Sequence, residues 1–117
     1  MKIASKATLA AAMALTGFTA LSAFAASTVT LDGWVSDSKC GADHGAKDPD
    51  PDCVGKCIRG GAKPVFVDGN NKVWAIDDPD VVKGHYGHHV SVVATVDPAK
   101  NEVHITKVTM LADQGGK

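Results

Sequence analysis

Five short stretches of alternating apolar and polar residues, separated by glycine, proline and aspartate, confine this chain to a small β fold. Residues 28–36, TVTLDGWVS, set Val29, Leu31 and Val35 on one face and Thr28, Thr30, Asp32 and Trp34 on the other. Period two is the mark of a half-buried strand. Residues 64–68 and 72–77 form two more such stretches around the turn Asp68-Gly69-Asn70-Asn71, a hairpin signal. Residues 90–97 place Val90, Val92, Ala94 and Val96 on one face. In residues 102–111 the apolar parity switches between Ile105 and Val108, which predicts a bulge near Thr106-Lys107. Gly33 interrupts the first strand, and a bulge or sharp bend is the usual reason. A long first strand needs such bending to run around a small barrel.

Two short helices are predicted between these strands. Asp50 caps the first, Pro51 suits its first position, and residues 53–59 form its body before Gly60-Gly61 ends it. Asp78-Pro79 repeats the device and opens a segment that runs to about Lys83. The fold class is therefore mainly β. It is a five-stranded OB-like barrel over residues 26–111, with a cysteine-bearing helix between strands 1 and 2 and a short helix between strands 3 and 4. Residues 112–117, with Gly115-Gly116, read as a loose tail.

The beginning of the chain reads differently. Lys2 and Lys6 head an apolar run, and Ala23-Phe24-Ala25 fits a small-x-small cleavage site. Residues 1–25 thus read as a secretory signal peptide, too short in its apolar part to span a bilayer. Its removal leaves about 90 residues, a single domain small enough to benefit from a cross-link or an ion. The expected location is periplasmic or secreted, with no membrane span after cleavage. Net charge is −1 with histidines neutral, and no basic patch with interleaved aromatics occurs, so nucleic acid is not an expected partner.

Export makes the cysteines the informative residues, because thiols pair readily in oxidising compartments. All three lie within residues 40–61, CGADHGAKDPDPDCVGKCIRGG. Cys53 and Cys57, four apart on a helix, share a face about 5–6 Å apart, too far for a mutual bridge while the helix is intact. Both can point at Cys40 or at an ion shared with it. Three thiolates and His44 make a Cys₃His set, a tetrahedral zinc-type combination that also suits reduced copper. The alternative is a bridge from Cys40 to Cys53 or Cys57, worth about 3 kcal/mol in the chain-entropy model, with one thiol left over. A thiol-redox role needs a lowered thiol pKa; Lys56, Arg59 and the start of the helix are nearby for Cys53. The candidate metal ligands are Cys40, His44, Cys53 and Cys57, with zinc or copper as the candidate ion.

Other clusters carry blander readings. Asp48, Asp50 and Asp52 alternate like a calcium loop, but Pro49 and Pro51 intervene and the loop glycine and distal glutamate are missing. His85, His88 and His89 read as solvent-exposed turn histidines, and His104 is expected opposite Thr95, remote from His89. Trp34, Phe66 and Trp74 are expected to cover the inserted helix rather than line a ligand groove. No hydrolase elbow, phosphate-binding glycine loop or paired-glutamate motif occurs.

The segments GWVSDSKCG, DCVGKCIRGGAKPVFV and KVWAIDDPD resemble a family of small exported bacterial domains with a D-x-x-C … C-x₃-C-x₃-G-A motif. The resemblance spans about residues 29–108 and implies an OB-like fold, without implying an activity. Asp37, Cys40, Cys53, Cys57 and Gly61 match its motif positions. It leaves open whether the cysteines bridge or bind. The reading is an exported, non-enzymatic binding module for an unknown protein or small ligand, with a three-cysteine cluster and a thiophilic ion. The alternative is a disulfide-stabilised interaction module without metal, and a thiol-redox protein is a third.

Overall fold

A computed structural model describes residues 27–115. The signal peptide expected over residues 1–25 lies outside the described residues. Strand β1 (Thr28–Asp37) is followed by a 3-10 turn (Gly41–His44) and helix α1 (Pro51–Arg59). Then come β2 (Pro64–Asp68), β3 (Val73–Ile76), a second 3-10 turn (Pro79–Val82), β4 (His89–Asp97) and β5 (Glu102–Met110). The strands close in the order β1-β2-β3-β5-β4, with β3 and β5 parallel and the other neighbours antiparallel. That is a five-stranded OB-type barrel, as the element order predicts, with the cysteine-bearing helix between β1 and β2.

Gly33 is the corner of the barrel. The first part of β1, Thr28 to Trp34, pairs with β4, while Gly33 to Asp37 pairs with β2. Gly33 thus has partners on both sides, Asp68 and Val90. A Cβ there would overlap the Val67 carbonyl oxygen and stand 2.6 Å from Phe66 Cζ. Only a residue without a side chain lets β2 and the Phe66 ring close onto β1 at the bend. The predicted β5 irregularity is also present. Val93 faces Lys107 and Ala94 faces Ile105, so Thr106 is the extra residue.

The core holds Val35, Phe66, Trp74, Ile76, Val90, Val92, Ala94, Val103 and Ile105, with Val82 from the second 3-10 turn plugging it. Phe66 and Trp74 therefore belong to the barrel interior and do not cover the inserted helix. Their register partners show why: Val35 faces Phe66, and Phe66 faces Trp74. The other parity of β2, Val65 and Val67, is buried too. The insert covers the outer face of this strand, so both faces are apolar and alternation does not tell in from out. Trp74 keeps its polar edge satisfied by donating from Nε1 to Asp68 Oδ2 at 2.9 Å.

Trp34 alone of the three aromatics faces outward, and it stacks on His89 with centroids 3.8 Å apart. His85 and His88 are half-buried and pack edge to face at 6.4 Å, against the exposed setting expected of them. The turn that carries them is pulled onto the insert. Gly87 sits so close to Pro51 that a Cβ would lie 2.7 Å from the Pro51 nitrogen. Beyond β5, Gln114 clamps the start of β4: its Oε1 accepts from His89 N at 2.9 Å and its Nε2 donates to His89 O at 3.0 Å. His104 lies opposite Thr95 and pairs with Asp77 at 2.8 Å.

Candidate metal centre

The insert is closed at its base before it is closed by anything else. Asp37 and Pro64 face each other at the last step of the β1–β2 ladder. Next to them Ser38 N donates to Lys63 O at 2.8 Å, and Lys63 N donates to Ser38 Oγ at 2.9 Å. Everything between is a loop of fixed ends resting against one end of the barrel.

Cys40 owes its position to the end of β1. Ser36 and Asp37 are completely buried. Ser36 Oγ donates to Gly41 O at 2.7 Å. Asp37 Oδ1 accepts from the backbone of Lys39 and of Cys40, both at 2.9 Å. This is an Asx-type turn, in which a short carboxylate mimics a backbone carbonyl and reverses the chain. The 3-10 turn that follows delivers His44, which is 8% exposed. Its Nδ1 lies 3.1 Å from the Asp48 carbonyl oxygen. A carbonyl only accepts, so Nδ1 is the donor, and in the neutral ring Nε2 is the nitrogen open to a metal.

Cys53 and Cys57 come from α1. Asp50 Oδ1 accepts from Cys53 N at 3.0 Å and Pro51 occupies the first turn, so the cap starts the helix where the sequence places it. Val54 is fully buried and faces the protein, which turns the helix and its two thiols towards Cys40. Asp50 is thus a capping residue, and Asp48 supplies its backbone carbonyl to His44.

The donor atoms meet in two overlapping groups. One atom each of Cys40, His44 and Cys53 lie within 4.8 Å of one another, and so do those of Asp37, Cys40 and Cys57. Cys40 is common to both. Cys57 also lies near enough to Cys40 and Cys53 to push both thiols up. The three sulfurs therefore form one cluster, flanked by a nitrogen donor on one side and a carboxylate on the other. None of the three cysteines is in a disulfide.

Asp37 is the member that the sequence marked as the aspartate of the D-x-x-C motif but not as a candidate ligand. Its Oδ2 is buried and has no hydrogen-bond partner. The only signal for it in the sequence is its place three residues before Cys40, at the end of a strand.

The electrostatics run against a reactive thiolate. Burial, then the Asp37 carboxylate and the sister thiols, push the Cys40 thiol up. Burial and Cys57 push Cys53 up as well, with Asp50 and Asp37 adding to it. Thiol-redox chemistry needs a lowered pKa, and the dipole of a two-turn helix does not overcome these neighbours. A bound cation reverses the balance, because it replaces the thiol protons and compensates the carboxylate. Three soft sulfurs with one nitrogen or oxygen are a donor set for a tetrahedral thiophilic ion, so the cluster with His44 and Asp37 can form a metal site.

The chain matches no family model, no curated protein and no solved structure at significance. Among the described residues no helix is long and apolar enough to cross a membrane.

Proposed function

We propose that this protein is an exported, non-enzymatic binding module that holds a thiophilic metal ion, zinc or copper, at the rim of a small barrel. Cys40, Cys53 and Cys57 supply the thiolates and His44 stands beside Cys40 and Cys53 as nitrogen donor. The observation that carries this reading is that Cys40 has the sulfurs of Cys53 and Cys57, from a separate element, within 4.8 Å, with His44 on one side and the buried Asp37 on the other. Periplasmic or secreted residence fits the leader-like residues 1–25. The raised thiols of Cys40 and Cys53 favour binding over redox turnover.

Native mass measurement of the exported protein, before and after chelation, tests it. A stoichiometric adduct is expected, lost on chelation and lost again in Cys53→Ser and in Cys57→Ser. Stoichiometric metal retained in both variants would overturn the reading. The approach of Cys40 to within 4.8 Å of each of the other two sulfurs favours one alternative, a stapled interaction module without metal. It requires an intact mass that gains about two units on reduction and a single thiol open to alkylation in denaturant.

A further inference from the structure

The proposed ion site leaves one buried group unexplained, and that group bears on which ion the site takes. Asp37 is the one carboxylate in the buried set of the described residues, with no exposure. Burying a carboxylate is costly unless hydrogen bonds and a positive charge compensate it. Oδ1 has its two backbone donors. Oδ2 has none. The ion pair of Lys83 with Asp80 and the hydrogen-bonded pair of His104 with Asp77 lie elsewhere. A carboxylate oxygen of this residue is within 4.8 Å of the Cys40 and Cys57 donors. The buried carboxylate thus stands beside two sulfurs with one of its oxygens unpartnered.

We infer that Asp37 is itself a ligand of the ion, through Oδ2, taking beside the thiolates the fourth place that His44 would otherwise fill, and that the ion is therefore divalent and borderline-soft, zinc rather than copper(I). This rests on the metal-binding reading above. Zinc accepts carboxylate oxygen together with thiolate, at about 2.0–2.2 Å for oxygen and about 2.3 Å for sulfur. Copper(I) is selected by soft sulfur and gains little from a hard oxygen. Charge points the same way. As a ligand, the Asp37 carboxylate adds a negative charge to those of the thiolates, which a doubly charged ion compensates better than a singly charged one. The tie between Asp37 Oδ1 and the backbone of Lys39 and Cys40 makes the arrangement rigid, so carboxylate and Cys40 sulfur are presented together.

The test is Asp37→Asn, which keeps the size and the oxygen that holds the turn but removes the charge. Zinc affinity is measured by competition with a chromophoric chelator, and copper(I) affinity by competition with a copper(I)-specific one. The variant is expected to lose zinc affinity by about tenfold or more, on the scale of changes at metal-ligand environments, with copper(I) affinity nearly unchanged. Equal loss for both ions, or no loss for zinc, overturns the inference while leaving the metal site standing. A wild-type protein that binds neither ion overturns both. Should Asp37→Asn not fold, difference infrared spectra of the wild-type protein with and without zinc decide the matter. Zinc is expected to shift a carboxylate stretch, and unshifted carboxylate bands overturn the inference.

Discussion

Asp68 shows how one side chain in this protein organises its surroundings. It sits at the β2–β3 turn, where burial raises its pKa. Hydrogen bonds from the Trp74 indole and from the backbone of Lys72 and Asn70 outweigh that, and the carboxyl ends below its ordinary value. A depressed folded pKa means that the stabilisation is fully present above the unfolded value and is lost as pH falls through the folded one. Asp68→Ala is expected to cost about 2 kcal/mol near neutral pH, since it strips a charged acceptor from a buried indole donor. Urea unfolding from pH 7 down to about pH 3 checks it, and the gap between wild type and variant should narrow only below about pH 4. Trp74 illustrates why the sequence alone misassigned its face. Its parity in β3 is clear, but its direction is set by the register that places it opposite Phe66, and Asp68 satisfies its indole N–H, neither of which an alternation pattern encodes.

At the scale of elements, two close approaches hold β1, β2 and α1 together. Gly33→Ala inserts a methyl group against the Val67 carbonyl and the Phe66 ring, where neither can withdraw without opening the β1–β2 ladder. About 3 kcal/mol of stability should be lost, read from denaturant midpoints. Gly87 has a φ of 76° and abuts the Pro51 backbone. Gly87→Ala should loosen α1 from the barrel and so weaken metal retention more than it weakens the barrel, a split visible when zinc affinity and unfolding are measured on the same variant. The caps Asp50 and Asp78, the prolines after them and the Thr106 bulge were legible in advance because each is a local rule, satisfied within a few residues. The partial burial of His85 and His88 was not, because it follows from the insert folding back across their turn.

The whole molecule is small, and a bound ion would be a large share of what holds it folded. An ion held at 100 to 1,000 times its dissociation constant adds about 3–4 kcal/mol. In a domain of this size that corresponds to a rise in melting temperature on the order of 10 °C or more. Chelation of the metal-loaded protein should lower the melting temperature by that amount and added zinc should restore it. Cys57→Ser should show a melting temperature indifferent to both treatments. The same treatments leave a disulfide-stapled chain unmoved, so the melt also separates the two readings of the cysteines.

The chain's own order of residues was enough to establish the barrel, its strand count, the placement of α1 and the shared face of Cys53 and Cys57. Periodicity, caps and turn residues act over short separations and leave their mark in neighbouring letters. Folding in three dimensions settled which face of β2 and β3 is inside, and that the buried carboxylate of Asp37 lies beside the sulfurs of Cys40 and Cys57. Both depend on contacts between segments distant along the chain, where the cost of burying a charge or the room for a ring is set by neighbours that the local pattern does not name.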